Sequence, residues 1–236
     1  MSHIERTTVD VDLAGRQWRQ YVDALERSGW TCVEVPPADD CPDSVFVEDT
    51  MVVYRDLAVI ARAGADVRRP EAAAAELTVA AQGYRTVRIE APGTLDGGDV
   101  LKIGSTVYAG LGGRTNQAGV DQLRRALEPL GARVVGVPVS KVLHLKSAVT
   151  ALPDGTVIGY EPLVDDPTAF ESFLGVPEEA GSHVVLLGED RLLMAASAPG
   201  SAELFEARGY ETVPVDISEF EKLEGCVTCL SVRLRP

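Results

Sequence analysis

Apolar residues Trp18, Tyr21, Val22 and Leu25 recur at helical spacing and stop before Gly29, which predicts an amphipathic helix over 15–28. A strand over 31–35 follows, and then two short apolar runs, 50–54 and 57–62, separated by Arg55-Asp56 as in a hairpin. The same succession returns. The second copy has a helix from 70 to about 82, a strand over 86–90 and a hairpin of 100–103 with 106–109. The third has a helix over 117–130, a strand over 133–139 and a hairpin of 148–152 with 156–160 around the turn-forming Pro153-Asp154-Gly155. The fourth is less regular, with a short helix over 167–173, an indistinct strand, and strands over 183–187 and 192–196. The fifth has a helix over 201–208 and strands over 211–215 and 229–234, one strand fewer than the others.

Five modules, 15–62, 69–110, 115–160, 166–197 and 200–236, therefore repeat at about forty to fifty residues with mixed helix and strand. That period predicts an α/β propeller of pseudo-fivefold repeats around a central channel, in a single domain over 1–236, rather than a doubly wound sheet. If the ring closes as propellers do, the absent strand has to come from before the first helix. Residues 7–11 are the candidate there, and the expectation is a start that falls later than in comparable chains.

Composition narrows the function. With 45% hydrophobic and 25% charged residues and no apolar run near eighteen, the chain reads as neither disordered nor membrane-spanning. The polar segment 1–12 has no apolar core of the kind a secretory signal needs, so a cytoplasmic location is expected. A net charge of −14 disfavours nucleic acid and suits a cationic partner better. Of the four cysteines, Cys226 and Cys229 form a C-x-x-C pair, but zinc would need a second pair of ligands and His3, His144 and His183 are scattered. Free thiols, no metal site and no cofactor are expected.

Four loops carry polar groups that turns do not need. The first runs Asp43-Ser44-Val45-Phe46-Val47-Glu48-Asp49, with three carboxylates among apolar positions; its plain reading is a solvated charged loop. In the second, Thr94-Leu95-Asp96-Gly97-Gly98-Asp99, paired glycines admit a close approach to a ligand, or simply make a turn. The third, Leu143-His144-Leu145-Lys146-Ser147, holds one histidine, a residue more often structural than catalytic. The fourth, Gly225-Cys226-Val227-Thr228-Cys229-Leu230-Ser231, holds cysteines that by themselves read as small buried hydrophobes.

Taken together, D-S-V-F-V-E-D, T-L-D-G-G-D, G-G-R-T-N-Q, L-H-L-K-S and the terminal T-C-L-S-V resemble the dimethylarginine dimethylaminohydrolases, members of the five-bladed pentein superfamily of guanidine-modifying enzymes. The resemblance runs from about Val9 to Arg235 and implies hydrolysis of asymmetric dimethylarginine or monomethylarginine to citrulline and a methylamine. It implies Cys229 as nucleophile, His144 as general acid and base, and Asp96 and Asp49 as the carboxylates that hold the guanidinium. It further implies Arg68 and Arg114 at the substrate carboxylate, Asp43 and the Leu223 carbonyl at the α-amino group, Phe46 lining the slot and Glu48 within the same loop.

These residue types suit the chemistry. An amine is a poor leaving group from a resonance-stabilised guanidinium, so a thiolate nucleophile and a proton donor at the departing nitrogen are both needed. Carboxylates fix the plane of the cation, at the cost of opposing thiolate formation nearby. An amino-acid head group argues against agmatine.

The family also begins with a strand ending in an Arg-Pro-like step and a mobile covering loop, and this chain shows neither in recognisable form. An open sheet edge is then expected, compatible with a homodimer, together with poorer water exclusion over the substrate. Two competing readings are an arginine deiminase-like hydrolase of free arginine and a non-catalytic pentein that binds another macromolecule.

Overall fold

A computed structural model describes residues 8–235. The chain divides into two compact units, one of residues through Cys32 with Ser147–Thr228, the other of Val33–Lys146 with the residues from Cys229 onward. The first helix, α1 (Val11–Arg27), starts a turn earlier than the periodicity predicts, because Asp10 caps it by accepting a 3.0 Å hydrogen bond from the Leu13 amide. The strand expected over 7–11 is thereby corrected: Thr7 lies outside the described residues, Thr8–Asp10 are irregular and Val11 is helical. The buried column of α1 is Gln17, Tyr21 and Leu25. Gln17 is tolerated there because its amide bonds Ser218 Oγ at 2.8 Å and the Glu219 N–H at 3.0 Å.

Four three-stranded sheets share one design, an antiparallel hairpin joined by a third strand parallel to the hairpin's second. The first comprises β1 (Met51–Tyr54), β2 (Leu57–Ile60) and β3 (Arg85–Arg88), with α2 (Glu71–Ala81) as the crossover. Every residue of β1 and β2 is buried, which explains runs of apolar residues without alternation. The hairpin turns through Arg55 at φ +51°, and Asp56 in that turn binds Arg85 of β3 at 2.7 Å. The second sheet holds β4 (Val100–Ile103), β5 (Thr106–Leu111) and β6 (Arg133–Pro138), crossed by α3 (Gln117–Leu127).

A short helix, α4 (Leu145–Ala148), leads into the third sheet, β7 (Val149–Ala151), β8 (Val157–Gly159) and β9 (Phe173–Gly175). The helix expected over 167–173 shrinks to a single 3₁₀ turn, Pro167–Ala169, capped by Asp166, and β9 supplies the indistinct strand. The fourth sheet is β10 (Val184–Leu186), β11 (Arg191–Ala195) and β12 (Glu211–Val215), crossed by α5 (Pro199–Glu206) and followed by α6 (Ser218–Glu221).

The sequence repeat and the sheets are offset, because each hairpin pairs with the strand of the following module. Two expected strands, over 31–35 and 229–234, form no ladder among the described residues. Val35, Val232 and Leu234 instead pack half-buried against the core of β1, β2 and α2. A second core, built from β1, β2, β4, β5 and α3, contains the fully buried Leu95, Val107, Ala109, Val120, Leu123 and Leu127. Burial of each such Leu or Val side chain contributes about 1.5–3 kcal/mol. These two cores hold the loops that precede β1 and β4.

Candidate active site

The turns entering β1 and β4 are one-turn 3₁₀ helices, Val47–Thr50 and Gly97–Asp99, and His144 stands just ahead of α4. Gly97 and Gly98 allow these segments to meet. A Cβ on Gly97 would lie 2.0 Å from the Glu48 carbonyl oxygen, and one on Gly98 would lie 2.8 Å from His144 Nδ1. The paired glycines thus bring protein loops together.

Asp49, Asp96 and His144 are all buried. The His144 ring sits between the two carboxylates, with Nε2 3.0 Å from Asp96 Oδ2 and Nδ1 3.8 Å from Asp49 Oδ1. Backbone N–H groups hold both acids in place: Gly98 donates to Asp49 Oδ1 at 2.9 Å and Gly64 to Asp96 Oδ1 at 2.8 Å. Burial alone would pull the imidazole down. The charge of Asp49, the hydrogen bond to Asp96 and the charges of Asp99 and Asp96 outweigh it and push His144 up to about 9. For Asp49, burial opposes ionisation, but His144, Arg68 and the Gly98 N–H hold the carboxyl below its usual range.

The donor atoms of Asp49, Asp96 and His144 lie within 4.8 Å of one another, a spacing that also suits a metal ion. Asp49 is also engaged by Arg68, which leaves it one oxygen toward this space.

Arg68, expected at the substrate carboxylate, has protein partners as well. It is 6% exposed, and its Nη1 binds Asp49 Oδ2 at 2.5 Å. Its Nε and Nη2 take the buried Glu71, while Nη2 also donates to the carbonyls of Asp43 and Phe46 at 3.2 Å. All three guanidinium nitrogens are thus engaged within the protein, holding the 43–49 loop. Arg114 differs: its Nη1 is buried without a hydrogen-bond partner, 3.8 Å from Asp96 Oδ2.

Glu48 Oε1 accepts from Lys146 at 2.6 Å and Arg233 at 3.1 Å, and its amide donates to the Cys229 carbonyl at 3.1 Å. That bond ties the terminal cysteine segment to the acidic loop. Cys229 is half-buried and Phe46 buried, and all four cysteines are free thiols. Cys226 is buried, with its sulfur 3.2 Å from Thr228 Oγ1. Asp43, Phe46, Glu48, Asp49, Arg68, Asp96, Arg114, His144 and Cys229 all lie in one compact unit. Leu223 belongs to the other, beside Glu224 at φ +62°.

Sequence reasoning assigned no role to Glu71, Asp99 or Thr115, all buried and bonded to the site. Asp99 and Thr115 stood inside quoted motifs, so a signal was present for both; Glu71 carried none.

A buried histidine flanked by two acids, in the same unit as a terminal cysteine segment tied to the acidic loop, fits a hydrolase of the guanidine-modifying class. Consistent with that class, the family model described as arginine deiminase matches residues 33–192. The chain belongs to the dimethylarginine dimethylaminohydrolase family. It is 67% identical over 235 residues to the N(G),N(G)-dimethylarginine dimethylaminohydrolase of Streptomyces coelicolor, covering 100% of this chain and 91% of that one. It is 35% identical over 231 residues to the Pseudomonas aeruginosa protein of the same name, covering 95% and 89%. A cysteine-to-serine variant of the P. aeruginosa enzyme, solved with citrulline, superposes with a TM-score of 0.92 at 32% identity, covering 99% of this chain and 93% of that one. The N-terminal domain of the cyanobacterial arginine dihydrolase ArgZ shares the fold, with a TM-score of 0.86 at 20% identity over 95% and 88% of the two chains.

Proposed function

We propose that Cys229, His144 and Asp96 form the catalytic set with which this chain, a dimethylargininase by family, hydrolyses asymmetric dimethylarginine or monomethylarginine to citrulline and the corresponding methylamine. The observation that carries this reading is the buried His144 ring held between the carboxylates of Asp49 and Asp96, whose charges favour its protonated form. Such a group is a general acid at neutral pH, poised for an amine that leaves only when protonated.

In the first half-reaction the Cys229 thiolate, its proton released to solvent, bonds to the guanidinium carbon, His144 gives its proton to the departing nitrogen, and the bond from carbon to that nitrogen breaks. A covalent thiouronium remains on Cys229. In the second half-reaction, neutral His144 takes a proton from water as the water oxygen bonds to the same carbon, the carbon–sulfur bond breaks to return the thiolate, the oxygen's remaining proton passes to the released amine, and citrulline leaves. Asp49 and Asp96 fix the plane of the cation. Supporting this assignment, a histidine-to-glycine variant of a related enzyme forms an adduct with S-methyl-L-thiocitrulline, and the cysteine-to-serine variant of the P. aeruginosa enzyme holds citrulline.

At the head group, Arg114, whose Nη1 makes no hydrogen bond within the protein and lies 3.8 Å from Asp96, and Arg68 are assigned to the substrate carboxylate, Asp43 to the ammonium, and Phe46 and Glu48 to the slot wall. The four sheets of one design support a five-bladed ring in a single catalytic domain. Among the described residues no helix is long and apolar enough to cross a membrane. A cytoplasmic location and a homodimer remain part of the proposal.

Citrulline release from asymmetric dimethylarginine, monomethylarginine and arginine by wild type, Cys229→Ser and Cys226→Ser tests the reading. Cys229→Ser is expected to lose at least about 10³-fold in kcat, as removal of a covalent nucleophile does. Cys226→Ser keeps most of the activity. Activity that survives Cys229→Ser and not Cys226→Ser overturns the assignment, and preference for arginine over both methylated substrates overturns the substrate class.

A further inference from the structure

The reaction as written leaves one buried carboxylate beside His144 unused. Asp99 is 1% exposed, and both of its oxygens are engaged. Oδ2 accepts the Thr115 hydroxyl at 2.6 Å and Oδ1 accepts the Leu145 N–H at 2.9 Å. The Thr115 oxygen, having given its only proton to Asp99, accepts the Asp96 N–H at 3.1 Å. Since Asp96 Oδ2 faces His144 Nε2 at 3.0 Å and Leu145 follows His144 in the chain, the contacts close a ring. It runs from Asp99 through Thr115, Asp96, His144 and Leu145 back to Asp99.

We propose that Asp99 and Thr115 are positioning residues that lock the His144 imidazole against Asp96. The proposal rests on the catalytic role of His144 given above. Neighbouring glycines leave the ring little room to rearrange: a Cβ on Gly110 would lie 2.9 Å from Asp99 Oδ1 and 3.0 Å from Leu145 Cβ. On the other side, a Cβ on Gly98 would meet the His144 ring. Buried carboxylates are costly, and burial pushes Asp99 up to about 6 even though His144, Thr115 and the Leu145 N–H oppose it. Both Asp99 oxygens accept hydrogen bonds, the pattern of an ionised carboxylate.

The charged groups facing His144 are Asp49, Asp96 and Asp99, with Arg68 on Asp49 and Arg114 near Asp96. Asp99→Asn removes a carboxylate from beside His144 and leaves one acceptor where there were two, so that either the Thr115 hydroxyl or the Leu145 N–H meets a donor and one bond of the ring is lost.

The test uses the full chain as wild type, Asp99→Asn, Thr115→Val and Thr115→Ser. Two readouts are followed: steady-state citrulline formation from asymmetric dimethylarginine, and the His144 titration by imidazole NMR without substrate, assigned with His144→Gln. Asp99→Asn is expected to lower kcat on the order of 10²-fold, the cost of a misplaced catalytic group, while KM changes little. The His144 titration moves to lower pH, because an anion that favoured the imidazolium is gone. Thr115→Val changes both readouts in the same direction by less, and Thr115→Ser, which restores the hydroxyl, recovers most of that loss. Should Asp99→Asn fail to fold, the Thr115 pair decides. Unchanged kcat and unchanged His144 titration in Asp99→Asn and Thr115→Val overturn the proposal. A wild type that makes no citrulline overturns the functional reading alone, and the substrate-free titration still decides whether Asp99 governs His144.

Discussion

The one-turn helices at Gly97–Asp99 and Glu179–Ser182 each lead straight into the first strand of a hairpin, and they satisfy their surroundings by different means. At the second, the Ser182 hydroxyl accepts the Tyr160 N–H at 2.7 Å and its carbonyl accepts the Thr150 hydroxyl at 2.6 Å. The Thr150 oxygen in turn accepts the Val184 N–H at 3.1 Å. Two neutral hydroxyls complete that turn. Val47–Thr50 before β1 also carries a hydroxyl bond, from Thr50 to the Val47 carbonyl at 2.7 Å, but there and at the first turn a buried carboxylate is added: Asp49 accepts the Gly98 N–H, and Asp99 accepts the Thr115 hydroxyl and the Leu145 N–H. The repeat can therefore close its hairpins without charge. Because burying a carboxylate costs several kcal/mol unless it is paired, the acids before β1 and β4 reflect chemistry rather than folding.

The comparison breaks most sharply at Arg68. Replacing it with methionine leaves Asp49 and Glu71 buried without their shared cation, a situation that typically costs about 3–5 kcal/mol. Urea unfolding of Arg68→Met is expected to show a loss of that size together with a steep fall in kcat, since Asp49 and the 43–49 loop lose their anchor. A loss below about 1 kcal/mol, the worth of a surface pair, would mean that these carboxylates are not held as buried ions.

His144 sharpens the contrast through pH. Its folded value of about 9 exceeds the ordinary 6.5, so its stabilising contribution is fully present below about 6.5 and disappears as pH rises through 9. That span corresponds to about 3 kcal/mol. Lys102 and Asp99 also titrate with shifted values, in opposite senses, so the quantity to follow is the stability difference between wild type and His144→Gln. The difference is expected to fall in favour of the variant between pH 6.5 and 9. A flat difference across that window would place a neutral imidazole between the two acids.

Much of this was legible in the sequence, and what was not has identifiable causes. Hairpins such as 51–60 were readable because both strands are apolar and the turn is short, and the acids, His144 and Cys229 were readable as motifs. Strands over 31–35 and 229–234 were not, because a strand exists only where a partner offers its backbone, and residue pattern does not specify the partner. The protein partners of Arg68 were not legible for a related reason. An arginine near a substrate site reads as a ligand for anions, while its actual partners, Glu71 three residues on and Asp49 nineteen residues back, are fixed by the packing of α2 against the 47–50 turn. Asp99 and Thr115 lay in view within their motifs, but the bonds that join them to Asp96 and His144 span 16 to 46 residues.

The smallest effect is expected on the neutral side of the comparison. Ser182→Ala deletes the acceptor of the Tyr160 N–H in a site that is 1% exposed, and an unsatisfied buried donor costs about 1–3 kcal/mol. Because no charge is involved, the loss should be the same at pH 6 and pH 9, and kcat should stay within about twofold of wild type, as for changes at independent sites. If the Ser182→Ala loss varied with pH, or if kcat fell with it, the neutral turn would be coupled to ionisation after all. The division of labour between hydroxyl-closed and carboxylate-closed turns would then not hold.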